Sequence, residues 1–312
     1  MPKVALLEFF DPEIREKLQD LAGHDLELIF CESNDDADRA NALRDAEYAL
    51  VRSIPMPAAL LDAAPKLKMI HQWGTGTDGI PIKEAIARGL TIARSPGVNA
   101  PTVADLTVAL MLACLRRVVV GDARIREGKW AEPDLYEIGR DLAGARVGLV
   151  GYGAIAREVE KRLRGFDCEV LHSRASGGPN STPFEEMIGQ VDILSLHAPA
   201  TPTTRHLINK DTLGRMPRGS VLINTARGEL VDEVALVDAL KSGHLASAGL
   251  DAYSVEPLPD SSLLRDAPNT VLSAHSGGRT RQNFDRLVRH WAGNIRAHNE
   301  GNTIAEECLV SI

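Results

Sequence analysis

The stretch "RVGLVGYGAIAREVEKRLRGFDCEVLHSRAS" (residues 146–176) holds a short apolar strand, a Gly-x-Gly-x-x-Ala turn, a helix and a second apolar strand in one run. A unit of this order binds the pyrophosphate of a dinucleotide. Gly151 permits the tight exit from the strand, and Gly153 has no side chain to keep the backbone from a phosphate. Ala156 is small enough for the helix to pack close to the sheet. The helix start offers unpaired N–H groups and a partial positive charge. Ile155, Val159 and Leu163 recur every four residues and are expected to face the sheet. A purely structural glycine turn is the alternative; a strand before, a helix after and a strand next favour the nucleotide.

The second strand ends unusually. An acid is expected there to hold the adenosine ribose, but the chain reads His172-Ser173-Arg174, with no Asp or Glu from Val170 through Phe184. A carboxylate repels a 2′-phosphate, whereas a guanidinium matches phosphate geometry in a fork. Ser173 and Arg174 therefore point to NADP(H) as the preferred cofactor, with NAD(H) possible. The alternative is a solvated loop arginine in an enzyme that takes either cofactor.

Around this unit the chain alternates strands and helices. Strands are expected at 146–150, 168–172, 191–196, 220–223, 246–250 and 270–273, with helices between most of them. Upstream, "KVALLEF" (3–9), "LELIF", "YALVRS", "LKMIHQW" and "LTIARS" read as strands of a second parallel sheet. "DPEIREKLQDLAG" (11–23) reads as a helix with Asp11 as N-cap and Pro12 at its first position. A long helix is expected over 102–128, buried between domains or against a second subunit. A polar, irregular arm follows, from Lys129 to Leu142 with Trp130, Pro133 and Gly139. The tail, 281–301, reads as an amphipathic helix with Phe284, Leu287, Val288, Trp291 and Ile295 on one face.

Bulk properties narrow the class. A chain of 312 residues accommodates two ordinary domains, and 44% apolar with 25% charged residues is normal for a globular protein. A net charge of -8 argues against general binding to nucleic acid or an anionic membrane. Cys31, Cys114, Cys168 and Cys308 have no paired spacing, which suits a reducing compartment and no metal site. The N-terminal apolar run is too short for a signal peptide and no stretch can span a bilayer, so the cytoplasm is the expected location.

Three downstream segments carry the chemistry. "GSVLINTARGELVDEVALVDAL" (219–240) places Arg227 just past a strand end. "SAGLDAYSVEPLP" (247–259) ends a strand at Asp251, with Glu256 beyond, and "NTVLSAHSGG" (269–278) ends one at His275. Ligands of open α/β sheets bind at that edge. An arginine can hold the carboxylate of a 2-oxo acid and polarise the adjacent carbonyl. An imidazolium can protonate the oxygen as hydride arrives, and a glutamate can fix its tautomer and raise its pKa. Each residue alone has an ordinary structural explanation; the three in this order do not.

With these residues the chain resembles the D-isomer-specific 2-hydroxyacid dehydrogenase family over essentially its whole length. The most specific segment is residues 191–253, "VDILSLHAPATPTTRHLINKDTLGRMPRGSVLINTARGELVDEVALVDALKSGHLASAGLDAY". The resemblance implies an α/β fold of two doubly wound parallel-sheet domains. A flavodoxin-like substrate domain (1–98 plus 285–312) would carry an inserted Rossmann domain (99–284), with hinges near 98–101 and 284–290. It implies that Arg227 binds substrate, Glu256 orients His275 and His275 is the acid/base. Gly151, Gly153, Ala154, Ile155, Ser173, Arg174, His197, Pro199, Thr204, Thr225, Ala226, Asp251 and Gly277 would meet the cofactor, with Thr225, Ala226 and Asp251 toward the nicotinamide and His197 as a cofactor wall rather than the proton donor. The loop 73–79, "WGTGTDG", resembles the turn whose N–H groups hold the substrate carboxylate, so Trp73, Gly74, Thr75 and Gly76, with Arg52, are its expected substrate residues; no metal is implied. The long helix and the arm resemble the family's homodimer contact.

Departures are Ala156 for the third glycine, Arg174 for the ribose acid, the turn Asp78-Gly79-Ile80-Pro81 where an asparagine after the Asp is usual, and Gln72 where phosphoglycerate dehydrogenases often carry arginine. Gln72 argues against a phosphorylated substrate, and bulk at Trp73 favours a small acid. The expected activity is reduction of a small 2-oxo acid such as glyoxylate, hydroxypyruvate or pyruvate by NADPH. The alternatives are a phosphoglycerate or phosphite dehydrogenase of the family, or a non-catalytic nucleotide sensor.

Overall fold

Residues 1–130 and 135–311 are described in the structure, a computed structural model. The chain divides into two units, one formed by Met1–Asn99 with Arg279–Ile312 and the other by Ala100–Gly278.

The first unit is built on five parallel strands: β1 (Lys3–Phe9), β2 (Glu27–Cys31), β3 (Tyr48–Val51), β4 (Met69–Gln72) and β5 (Thr91–Ala93). Their order is β2-β1-β3-β4-β5, the flavodoxin-like arrangement. Alternation along β1 sends Val4 and Leu6 into one core and Ala5 and Leu7 into the other, so both sheet faces are covered. Helices α1 (Pro12–Ala22), α2 (Asp36–Leu43) and α3 (Ile82–Ala87) connect these strands. Pro12 opens α1, although the Asp11 side chain makes no capping bond.

The first core is completed from the far end of the chain. The terminal helix, Arg281–Asn299, starts at Thr280, whose side chain accepts the Asn283 N–H at 3.2 Å. Leu287, Val288, Trp291 and Ile295 join the cluster of Val4 and Leu6. The expected crossing near 284 thus falls inside this helix; the contact boundary lies at Gly278–Arg279. Beyond the helix, the Val310 N–H donates to Ile92 O at 2.9 Å, and Leu309 makes an antiparallel bridge to Ala93.

The second unit opens with α4 (Ala100–Leu115), α5 (Val118–Arg126) and α6 (Leu135–Ile138). The single helix expected over 102–128 is broken. Arg117 takes φ 52°, a left-handed conformation that ends one helix and starts the next, and its guanidinium donates to Asn269 Oδ1 at 2.8 Å. One face of α4 packs on the sheet of its own unit, with Met111, Cys114 and Leu115 in the core beside Val147 and Leu149. In the arm, Trp130 and Tyr136 are exposed, and Pro133 lies outside the described residues.

The remaining elements are β6 (Arg146–Val150), α7 (Ala154–Leu163), β7 (Glu169–Ser173), α8 (Phe184–Met187), β8 (Ile193–Leu196), α9 (Lys210–Arg215), β9 (Ser220–Asn224), α10 (Glu233–Lys241), β10 (Leu245–Leu250) and β11 (Thr270–Leu272). All strands run parallel in the order β11-β10-β9-β8-β6-β7, which leaves β7 at the edge. The chain reverses direction across the sheet between β6 and β8, the switch point at which such sheets open a ligand crevice.

Candidate active site

Three strand ends of the second unit carry the reactive groups. After β9 the turn is tied by Asn224, whose Oδ1 accepts the Ala226 N–H at 3.0 Å and whose Nδ2 donates to Arg227 O at 2.9 Å. Its side chain is 1% exposed and has no room for another role. Arg227, half-buried, donates from Nη1 to Ala226 O at 2.8 Å. Gly228 follows where the backbone leaving β10 crosses: a Cβ built there falls 1.8 Å from the carbonyl carbon of Tyr253.

Past β10 and β11 stand Glu256 and His275, the expected acid–base pair. His275 Nδ1 donates to Glu256 Oε2 at 2.6 Å, which leaves Nε2 to face a reactant. The other oxygen of Glu256 accepts the Tyr253 N–H at 3.0 Å. The hydrogen bond to Glu256 holds His275 above its ordinary pKa of 6.5, assisted by the charges of Glu256 and Asp251 and opposed by burial and Arg227. Burial alone would raise the Glu256 carboxyl; the bonds from His275 and Tyr253, with the charges of His275 and Arg227, outweigh it and leave the carboxyl below its ordinary value.

A sign follows. If protonated His275 is the active form in reduction, activity is lost as pH rises through its raised pKa. Glu256→Gln removes the charge that raises it, so the falling limb of kcat/KM moves to lower pH. A pH–rate profile checks this, and an unmoved limb would separate Glu256 from the proton transfer.

Asp251, expected toward the nicotinamide, is engaged within the protein. Its carboxylate is 2% exposed and holds the loop that presents His275. Oδ1 accepts from Ser273 Oγ at 2.6 Å and the Ser276 N–H at 2.8 Å, and Oδ2 accepts the Gly277 N–H at 2.8 Å. His275 itself has φ 46°, a conformation costing roughly 1–3 kcal/mol for a non-glycine residue. The bonds to Asp251 on both sides of the histidine hold it there. Gly277 is part of the same device, because a Cβ there would lie 2.9 Å from Asp251 Oδ2.

Other expected cofactor residues also turn their polar groups inward. Thr225 Oγ1 meets Thr107 Oγ1 of α4 at 2.9 Å, and Thr204 Oγ1 donates to Pro199 O at 2.7 Å, closing that loop. His197 Nε2 lies 2.9 Å from Ser195 Oγ, and burial lowers its pKa to about 3, so it is neutral.

The phosphate-binding turn fits a dinucleotide. Gly151 has φ 87°, and a Cβ on it would strike His197 O at 2.7 Å and Ala198 N at 2.8 Å. Gly153 has nothing within 4 Å of where a Cβ would stand, so packing does not explain that glycine and space for a ligand does. No side chain caps α7, and among the described residues no backbone acceptor engages the N–H groups of Gly153, Ala154 or Ile155. These donors and the helix dipole suit a pyrophosphate. Ala156, Val159 and Leu163 are buried in the core, and Ile155 packs partly against it. Arg174 donates its backbone N–H to Ser181 Oγ at 3.0 Å, and its exposed guanidinium has no carboxylate within ion-pair distance among the described residues.

The first unit places its expected substrate residues beside its own switch point, between β1 and β3. Arg52 follows β3 and pairs at 3.3 Å with Glu8 of β1, which the sequence reading passed over. Its guanidinium lies over Phe10 and Trp73, 5.5 and 5.8 Å from the ring centroids. Trp73 is a core residue, not pocket bulk: it is 6% exposed and stacks on Phe10 at 6.2 Å, with Phe284 and Trp291 beside it. In the next residues Thr75 Oγ1 donates to Ser95 O at 3.1 Å, while the N–H groups of Gly74, Thr75 and Gly76 meet no acceptor among the described residues. Three successive free donors make an anion-binding turn.

A dinucleotide turn at one switch point, with arginine and a histidine–glutamate pair at neighbouring strand ends, defines a nicotinamide-dependent dehydrogenase. The family described as "D-isomer specific 2-hydroxyacid dehydrogenase, NAD binding domain" matches residues 108–277. The chain is similar to a glyoxylate reductase from Korarchaeum cryptofilum, at 37% identity over 79% of this chain and 77% of that one. A D-3-phosphoglycerate dehydrogenase from Mycobacterium leprae is 33% identical over 91% of this chain but only 55% of its own. Among solved structures, an NADPH-dependent glyoxylate/hydroxypyruvate reductase from Sinorhizobium meliloti, in complex with NADP and malonate, superposes with a TM-score of 0.81. It is 29% identical, covering 100% of this chain and 99% of that one.

The protein belongs to the D-isomer-specific 2-hydroxyacid dehydrogenase family, and is an NAD(P)-dependent oxidoreductase acting on CH–OH groups. Among the described residues no helix is long and apolar enough to cross a membrane.

Proposed function

We propose that the protein reduces a small 2-oxo acid, such as glyoxylate or hydroxypyruvate, to the D-2-hydroxy acid with NADPH as reductant. The observation that carries this reading is the 2.6 Å His275–Glu256 bond, which orients the imidazole and holds its pKa above the ordinary value. A dinucleotide held at Gly153, Ala154 and Ile155 would supply hydride for the carbonyl carbon. Arg227 holds the substrate carboxylate and draws charge toward the carbonyl oxygen. As that carbon is reduced, His275 gives its Nε2 proton to the oxygen and becomes neutral, while Glu256 holds the ring in place. In the first unit, the free N–H groups of Gly74, Thr75 and Gly76 suit an anion such as a carboxylate. The similarity to a glyoxylate reductase supports the substrate class.

NADPH is favoured by Ser173 and Arg174. Arg174→Ala is expected to raise KM for NADPH by roughly 10- to 150-fold, the range of one charge-assisted hydrogen bond of ~1.5–3 kcal/mol, and to leave KM for NADH nearly unchanged. Equal effects on both cofactors refute the 2′-phosphate role.

A phosphorylated acid is the second reading, favoured by similarity to phosphoglycerate dehydrogenases. Rates of NADPH oxidation with glyoxylate, hydroxypyruvate, pyruvate and 3-phosphohydroxypyruvate separate the two. Preference for the phosphorylated acid selects the second reading, and no turnover with any acid while NADPH still binds refutes both.

We also place the protein in the cytoplasm as a homodimer. Four free cysteines suit a reducing compartment. Exposed Val118, Val119 and Ile125 on α5, which buries none of its residues, suit a partner copy.

A further inference from the structure

Arg157 sits on the first turns of α7, within the nucleotide unit, and is exposed. Its neighbours are acidic, yet it pairs with none of them. Glu158 is taken by Arg162 at 2.6 Å, and Glu160 by the Tyr152 hydroxyl and by Arg164 at 3.1 Å. Among the described residues no carboxylate lies within ion-pair distance of Arg157. Its guanidinium lies instead over the ring of Tyr152, 4.6 Å from the centroid.

Tyr152 is stacked in turn on His172, with centroids 3.7 Å apart and planes 11° from parallel. His172 stands two residues before Arg174 at the end of β7. The two aromatic rings therefore bridge two strand ends and bring a second unpaired arginine toward the place of the first. Burial lowers the pKa of His172, opposed by the charge of Glu160 and assisted by those of Arg174 and Arg157. Guanidiniums of like charge at one edge, with the nearby Glu160 already engaged, form an anion site in search of an anion. Ser173, between His172 and Arg174, adds a hydroxyl.

We propose that Arg157, held over the Tyr152–His172 stack, is a second specificity-determining residue of the cofactor site and clamps the 2′-phosphate together with Arg174. This rests on the NADPH reading above. The ring stack keeps Arg157 extended across the strand end, so the phosphate meets a preformed pair of cations instead of ordering two free side chains.

Binding of adenosine 2′,5′-bisphosphate and of adenosine 5′-monophosphate, measured by calorimetry on the full chain, tests the clamp without turnover. The unaltered protein is expected to bind the bisphosphate more tightly. Arg157→Ala is expected to weaken the bisphosphate at least about tenfold and leave the monophosphate unchanged; Arg157→Lys, which keeps the charge but loses the fork, falls between. If Arg157→Ala weakens both ligands alike, or neither, while Arg174→Ala still removes the preference, the inference falls and the NADPH reading stands. If the unaltered protein shows no preference for the bisphosphate, both fall.

Discussion

His275→Ala lowers kcat by roughly two to four orders of magnitude, the range in which a positioned general acid contributes, and leaves the dissociation constant of NADPH nearly unchanged. The separation follows from the architecture. His275 extends past β11, while the phosphate-binding turn follows β6, four places away in the strand order β11-β10-β9-β8-β6. The loop survives the substitution because Asp251 holds it through Ser273 Oγ and the Ser276 and Gly277 N–H groups, none of which belongs to the histidine side chain. Single-turnover rates and cofactor titration check the expectation. A near-normal rate would remove His275 from proton transfer, and a large loss of NADPH affinity would mean that the imidazole holds cofactor.

Gly228→Ala is expected to cost more than about 3 kcal/mol of stability, beyond the usual range for an added methyl group. The added Cβ would lie 1.8 Å from the Tyr253 carbonyl carbon and 2.1 Å from Ser254 N, and neither backbone atom can swing away as a side-chain tip can. Relief requires the turn bearing Arg227 to separate from the segment whose Tyr253 N–H holds Glu256. Activity should therefore fall further than the folded population does under assay conditions. Chemical denaturation and kcat/KM for the folded fraction check both parts. A variant with the normal midpoint and rate would show that the two segments can part freely.

Residue periodicity made most of the secondary structure legible, because a strand covered on both faces is a run of apolar residues and an amphipathic helix repeats every three to four. β1, β6, β8, β9 and the buried face of the terminal helix follow this pattern. Periodicity cannot say against what a face is buried. The apolar run of α4 therefore suggested a domain or subunit contact, although it covers its own sheet, and the left-handed break at Arg117 carries no glycine or proline to announce it. Trp73 was misplaced for the same reason: its position after a strand suggests a pocket, while Phe10, Phe284 and Trp291, remote in sequence, enclose it.

The reactive residues were visible as charged groups just beyond strand ends. Their supports were less so. Asn224 does have a local signal, an amide two and three residues before the backbone groups of its turn. The bonds of Asp251 to residues 22 to 26 positions later, and of Arg52 to Glu8, have none. In this chain the groups expected to meet a ligand are easier to read than the groups that aim them.

The place of β7 at the edge of its sheet has an evolutionary consequence. Beyond it the chain makes only a single bridge, between His172 and Ser181, before returning to α8. An edge segment can gain, lose or exchange residues without repacking a core. The groups at the ends of β9, β10 and β11 are fixed by buried hydrogen bonds and by the contact at Gly228. A descendant of this protein can thus change the reductant it draws on through a few substitutions after Val170 and keep its chemistry intact, so choice of cofactor and choice of reaction are free to diverge at different rates.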